Sequence, residues 1–125
     1  MKNLKKFYRI KATSEEVYNA LTIPFSIELW TGDKAEMSTR AGDEFSLFGG
    51  DICGRNLQFE ENSKIIQEWY FGDQEEPSIV TITLTTDRAY TKIELLHTNI
   101  PDEAFEDMLA GWDESYFGAL KEFFE

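Results

Sequence analysis

Near its C-terminus the chain places Phe105, Met108, Leu109, Trp112, Tyr116, Ala119, Leu120 and Phe123 at successive steps of three, one, three, four, three, one and three. Only an α-helix brings such a series onto one face. The stripe needs about twenty helical residues, which at about 1.5 Å of rise each are long enough to cross a whole sheet. Pro101 suits the start of that helix, and Asp102 and Glu103 are favourable at its positive dipole end. Ala104, Gly111 and Gly118 recur every seven residues and fall on nearly one face. A helical glycine costs about 1 kcal/mol against alanine, so two of them need a reason. Close approach to a sheet, or space left for a ligand, would each supply one.

The apolar face of this helix requires a broad partner, and residues 34–98 read as strands. Glu44–Phe48 runs through a Gly49-Gly50-Asp51 turn into Ile52–Glu60, and Glu61-Asn62-Ser63 turns into Lys64–Phe71. An acidic loop, Gly72–Pro77, leads to Ser78–Thr86, where Val80, Ile82 and Leu84 alternate with Thr81, Thr83 and Thr85. Asp87-Arg88-Ala89 makes a tight turn into Thr91–Thr98, with Ile93, Leu95 and His97 on one face. Such alternation describes an antiparallel meander of about six strands with one buried side.

Before the meander, Leu4–Lys11 reads as a first strand, with Phe7 inward as an anchor and its lysines outward. Thr13-Ser14-Glu15-Glu16 forms a capping box for a helix burying Val17, Tyr18, Ala20 and Leu21. Pro24 opens a second short helix, with Phe25, Leu29 and Trp30 as its buried side and Gly32 as its end. The order is strand, two short helices, meander, long helix, in one domain spanning residues 1–125. The fold class is α+β: a curved antiparallel sheet of about six to seven strands wrapped on the C-terminal helix.

Charge narrows the partners. The 125 residues carry 12 Lys and Arg against 24 Asp and Glu, a net −12. Lys2, Lys5, Lys6, Arg9 and Lys11 lie in the first eleven positions, in and just before a first strand that reads as a charge-protected edge. Seven basic against 24 acidic residues, a net −17, are left over residues 12–125. That balance disfavours nucleic acid, whose phosphates need clustered cations, and an anionic membrane surface. Cys53 and His97 are each the only residue of their kind, too few for zinc sites built from Cys and His. No cofactor motif is present. One cysteine permits no internal disulfide, and no leader or membrane-length apolar run is visible, so a cytoplasmic protein is expected.

Several strings carry a resemblance: Leu21–Trp30 (LTIPFSIELW), Gly42–Gly54 (GDEFSLFGGDICG), Lys64–Phe71 (KIIQEWYF), Val80–Leu84 (VTITL), Leu95–Pro101 (LLHTNIP) and Gly111–Phe124 (GWDESYFGALKEFF). In this order they resemble the C-terminal domain type of the activator of heat-shock-protein-90 ATPase homologue family. That family sits within the START-like (SRPBCC) helix-grip superfamily. The resemblance implies a helix-grip fold and a heat-shock-protein-90-type chaperone as a partner. In the two-domain co-chaperones, a separate N-terminal domain drives ATPase stimulation, and no counterpart of it is visible here. The sequence departs from the family pattern at Tyr70, where a basic residue is usual. It departs again at Gln67, which alternates with Ile65 and Trp69 where an apolar residue is more usual. If inward, Gln67 is satisfied by a neighbour or water, or is a polar contact for a ligand.

Three functions follow as expectations. The first is a non-enzymatic domain binding a small apolar ligand between sheet and closing helix, with Trp30, Gln67, Trp69, His97, Met108 and Trp112 as candidate contacts. The same residues would also fill a solid core. The second is a chaperone-associated, stress-response interaction protein. The third is a cyclase- or hydratase-like enzyme, for which His97 and Glu68 are the candidate acid–base groups, with alternation turning Glu68 outward. A Cys53–His97 nucleophilic pair is formally available.

Overall fold

The computed structural model describes residues 1–72 and 74–125. Asp73, part of the acidic loop expected between two strands, lies outside the described residues. The first strand is β1 (Lys2–Ile10), followed by helices α1 (Ser14–Thr22) and α2 (Pro24–Thr31). The meander comprises β2 (Glu44–Leu47), β3 (Ile52–Glu60), β4 (Lys64–Trp69), β5 (Ser78–Asp87) and β6 (Tyr90–Ile100). The closing helix runs as α3 (Phe105–Gly111), a π-helical turn (Trp112–Tyr116) and α4 (Phe117–Phe124). The six strands form one antiparallel sheet in the order β1-β6-β5-β4-β3-β2. The meander thus has five strands rather than about six. Return of the first strand to pair with the last completes the sheet and leaves β1 an edge.

Local chemistry sets most of these boundaries. Thr13 accepts from the Glu16 amide at 3.1 Å while Glu16 accepts from the Thr13 amide at 3.0 Å, so the expected capping box starts α1. Val17, Tyr18, Ala20 and Leu21 are buried, as the periodicity requires. In α2 the buried pair is Ile27 and Trp30, while Phe25 and Leu29 are exposed. At about 100° per residue Phe25 and Leu29 share a face, nearly opposite Ile27. The inward side is selected by Trp30, whose indole N–H donates to the Ala20 carbonyl in α1 at 2.8 Å. Phe25 and Leu29 therefore do not belong to the buried side expected of them.

A second correction falls on β1. Leu4, Lys6, Tyr8 and Ile10 point toward the helix, and Phe7 points away, beneath the ammonium groups of Lys5 and Lys92. Phe7 is no anchor, because a strand period of two cannot put it on the side of Ile10. Lys6 is on the inner side and bonds the carboxylate of Asp113 on the π-helical turn, where the Tyr8 hydroxyl also donates at 2.8 Å. The Lys6 contact holds the Asp113 carboxyl below its ordinary range.

The π-helical turn explains a third difference. The Phe117 amide donates five residues back, to the Trp112 carbonyl. One extra residue in the turn advances everything downstream by one position. Phe117 joins the buried side with Leu120, Phe124 packs against the core, and Phe123 turns out to solvent instead of continuing the stripe. A Cβ on Gly118 would lie 2.2 Å from the Asp113 carbonyl oxygen. That glycine is required by the helix's own bulge and not by the sheet.

Candidate functional site

Strand register assembles a row that no local pattern announces. Asn56 pairs with Gln67, Gln67 with Val80, Val80 with His97, and His97 with Leu4. Five strands thus contribute one residue each to a line across the helix-facing side. Asn56, Gln67 and His97 are all buried. The closing helix lays Trp112 over this row, and Trp69 from β4 stacks on Trp112 with centroids 4.7 Å apart.

Every polar atom of the row has a partner. Gln67 donates from Nε2 to Asn56 Oδ1 at 3.0 Å and accepts at Oε1 from the Trp69 indole N–H at 3.0 Å. Asn56 in turn donates to the Ser38 carbonyl at 3.2 Å. The Trp112 indole N–H donates to His97 Nδ1 at 3.0 Å. His97 is therefore the neutral tautomer protonated at Nε2, which donates to Ser78 Oγ at 2.8 Å. Ser78 passes its own proton to the Thr98 carbonyl at 3.0 Å. Burial lowers the His97 pKa to about 4. Both ring nitrogens are engaged inside the protein, which leaves neither free to exchange a proton with a substrate.

On the far side of the two indoles lies a cleft of about 280 Å³. Its lining comes from the loop after α2 (Asp33), the β2–β3 connection (Phe48, Asp51) and the first residue of β3 (Ile52), Trp69, and the closing helix (Met108, Gly111, Trp112, Ser115, Tyr116). Tyr116 touches Trp112, Trp30 and Phe48 with ring centroids 4.6, 5.1 and 6.3 Å apart. Burial pushes its phenol pKa up. A Cβ on Gly111 would meet nothing within 4 Å, so this glycine opens space beside the cleft.

Of the six residues nominated from the sequence, Trp69, Met108 and Trp112 border the cleft. Gln67 and His97 stand behind it and hold the indoles in place, and Trp30 supports Tyr116. No sequence pattern marks Phe48, Asp51, Ile52 or Asp33 for the cleft, since only the folded chain brings the 48–52 hairpin and the loop after α2 opposite the helix. Ser115 and Tyr116 had a signal: with Met108, Gly111 and Trp112 they follow helical spacing. Glu68 faces outward, with Arg55 at 3.2 Å. Cys53 contacts Ser46 and the Gly50 carbonyl, while His97 is held by Ser78 and Trp112, so the two form no pair. Among the described residues no group of three His, Cys, Asp or Glu is placed to hold a metal, and no helix is long and apolar enough to cross a membrane.

The family described as "Activator of Hsp90 ATPase homolog 1-like protein" matches residues 11–125, and the chain belongs to it. The "Activator of 90 kDa heat shock protein ATPase homolog" of Dictyostelium discoideum is 29% identical over 126 residues, covering 98% of this chain and 33% of that protein. The "Hsp90 co-chaperone AHA1" of Saccharomyces cerevisiae is 26% identical over 120 residues, covering 86% of this chain and 33% of its own length. The chain spans about a third of the length of these curated relatives. Among solved structures, an HSP90 activator from Plasmodium falciparum superposes with a TM-score of 0.90 at 24% identity, over 98% of this chain and 96% of that one. The Aha1 dimer from Colwellia psychrerythraea gives 0.84 at 19% identity, over 100% and 97%. At these identities the structural matches establish the helix-grip-like fold.

Proposed function

We propose that this member of the Hsp90 ATPase activator family acts as a non-enzymatic, START-like binding domain that takes up a small, largely apolar molecule in the cleft beside the closing helix. The cleft itself carries the reading: about 280 Å³, walled by Phe48, Trp69, Met108, Trp112 and Tyr116. Ligand pockets run to roughly 300–1,000 Å³ with apolar walls and few polar groups, so this one suits a compact ligand. The internal bonds of Gln67 and His97 fix the two indoles before any ligand arrives, which lowers the ordering cost of binding. Amide chemical shifts recorded against a panel of lipids and small aromatic compounds test the reading. Shifts clustered at Gly111, Trp112, Ser115 and Ile52 are expected. If no cleft-lining amide moves at millimolar ligand, the reading fails.

A second reading is supported by the names of the relatives: the chain works as the chaperone-contacting part of a co-chaperone. Those names belong to proteins about three times its length, so contact with a heat-shock-protein-90-type chaperone is proposed here, without ATPase stimulation. A pull-down with such a chaperone from the same organism tests it. Retention of the chaperone at tens of micromolar is expected, and its absence would count against the reading.

A further inference from the structure

Resting on the ligand-binding reading, we infer that the cleft selects an organic cation: an apolar body carrying an amine or quaternary ammonium. The lining of the cleft is built for a positive charge. Phe48, Trp69, Trp112 and Tyr116 present aromatic rings to one space. Ring faces are negative and attract cations. The indole N–H groups that could have served an anion are committed elsewhere, Trp69 to Gln67 and Trp112 to His97. The lining contains no Lys, Arg or His among the described residues, and Lys34, beside Asp33 in sequence, is not part of it.

Two carboxylates complete the arrangement. Asp33 and Asp51 border the cleft from separate loops, and neither takes part in an ion pair among the described residues. Tyr116 adds an independent observation. It is 4% exposed and borders the cleft, and its hydroxyl has no hydrogen-bond partner among the described residues. That oxygen is not sealed from solvent, and in the proposed complex it accepts from the ammonium N–H of the bound cation. Aromatic walls, an acidic rim, an acceptor and no cationic side chain together describe a site for a positive ligand.

The test uses three probes with one apolar body: 4-phenylbutylamine, 4-phenylbutan-1-ol and 4-phenylbutyrate, titrated against the whole chain and read by amide shifts. The amine is expected to bind about tenfold tighter than the alcohol, and the carboxylate more weakly than both. Asp33→Asn with Asp51→Asn, both at exposed positions, should shrink the advantage of the amine and leave the alcohol unchanged. Glu103→Gln with Glu106→Gln, on the exposed side of the closing segment, should leave the advantage intact. An amine no tighter than the alcohol overturns the cation preference while the binding reading stands. Equal losses in the two double variants overturn it too, since the preference would then belong to the overall charge of −12. Silence from all three probes at millimolar concentration defeats the binding reading itself.

Discussion

Acidification from pH 6.5 to 4.5 should weaken the fold through one buried side chain, His97. In the folded protein its pKa is lowered from 6.5 to about 4 by burial. The unfolded chain takes up a proton as pH falls below about 6.5, and the folded chain does not until about 4. More protons bound to the unfolded state mean stability falls with pH across that window. The full slope is ~1.4 kcal/mol per pH unit, and because the unfolded imidazole is only half protonated at pH 6.5 the two units cost about 2 kcal/mol. The geometry explains why the folded state resists: protonating Nδ1 would set an N–H against the Trp112 indole N–H, 3.0 Å away. Carboxylates with lowered pKa values, such as Asp113, release their stabilisation only as pH falls through and below the usual carboxylate range. The assay is urea denaturation followed by tryptophan fluorescence at pH 7.0, 6.0, 5.0 and 4.5, repeated on His97→Gln. Wild type should lose stability steadily below 6.5, and the variant should be nearly flat to 4.5. An NMR titration of the native imidazole gives an independent reading. A midpoint near 6.5, or a wild type as flat as the variant, would refute the assignment of a neutral, internally bonded His97.

Three further outcomes follow from packing. Gly111→Ala should raise stability by up to about 1 kcal/mol, because its Cβ meets nothing within 4 Å, whereas Gly118→Ala should lower it by about 1–3 kcal/mol, because its Cβ would lie 2.2 Å from the Asp113 oxygen; thermal melts in which both variants shift the same way would contradict the bulge. Phe25→Ser and Leu29→Ser should each change stability by no more than about 0.5 kcal/mol, against about 2–5 kcal/mol lost for Ile27→Ala, with denaturant midpoints as the measure. Gln67→Leu should cost about 1–3 kcal/mol despite its apolar replacement, since it strands the Trp69 N–H and the Asn56 carbonyl oxygen in the interior; a variant as stable as wild type in urea would show the network to be dispensable.

Fold and cleft were legible to different depths. Periodicity alone places Val80, Ile82, Leu84, Ile93 and Leu95 inward, and all are buried. The capping box, the Gly49-Gly50 turn and the length of the closing helix are equally local. Local pattern misleads where a residue has two faces to choose between. Phe7 is large and apolar, yet its parity in β1 follows from Leu4 and Ile10. Phe25 and Leu29 look like core until Trp30 commits α2 by bonding Ala20. Phe123 fits a perfect 3.6-residue stripe, and the π-helical turn breaks the perfection just upstream.

Sequence by itself determined the element order, the side that most strands bury, and a charge balance favouring neither nucleic acid nor anionic membranes. These are properties of neighbouring residues, and short-range sterics and solvation suffice to decide them. Tertiary structure alone decided that Asn56, Gln67 and His97 share one row, because strand register joins residues far apart in the chain. It alone set Phe48 and Asp51 opposite Met108 and Ser115, since a hairpin and a helix meet only after the sheet has closed. And it turned His97 from a candidate acid–base group into a clamp on Trp112: burial strips water from the imidazole, and two fixed partners consume both of its nitrogens.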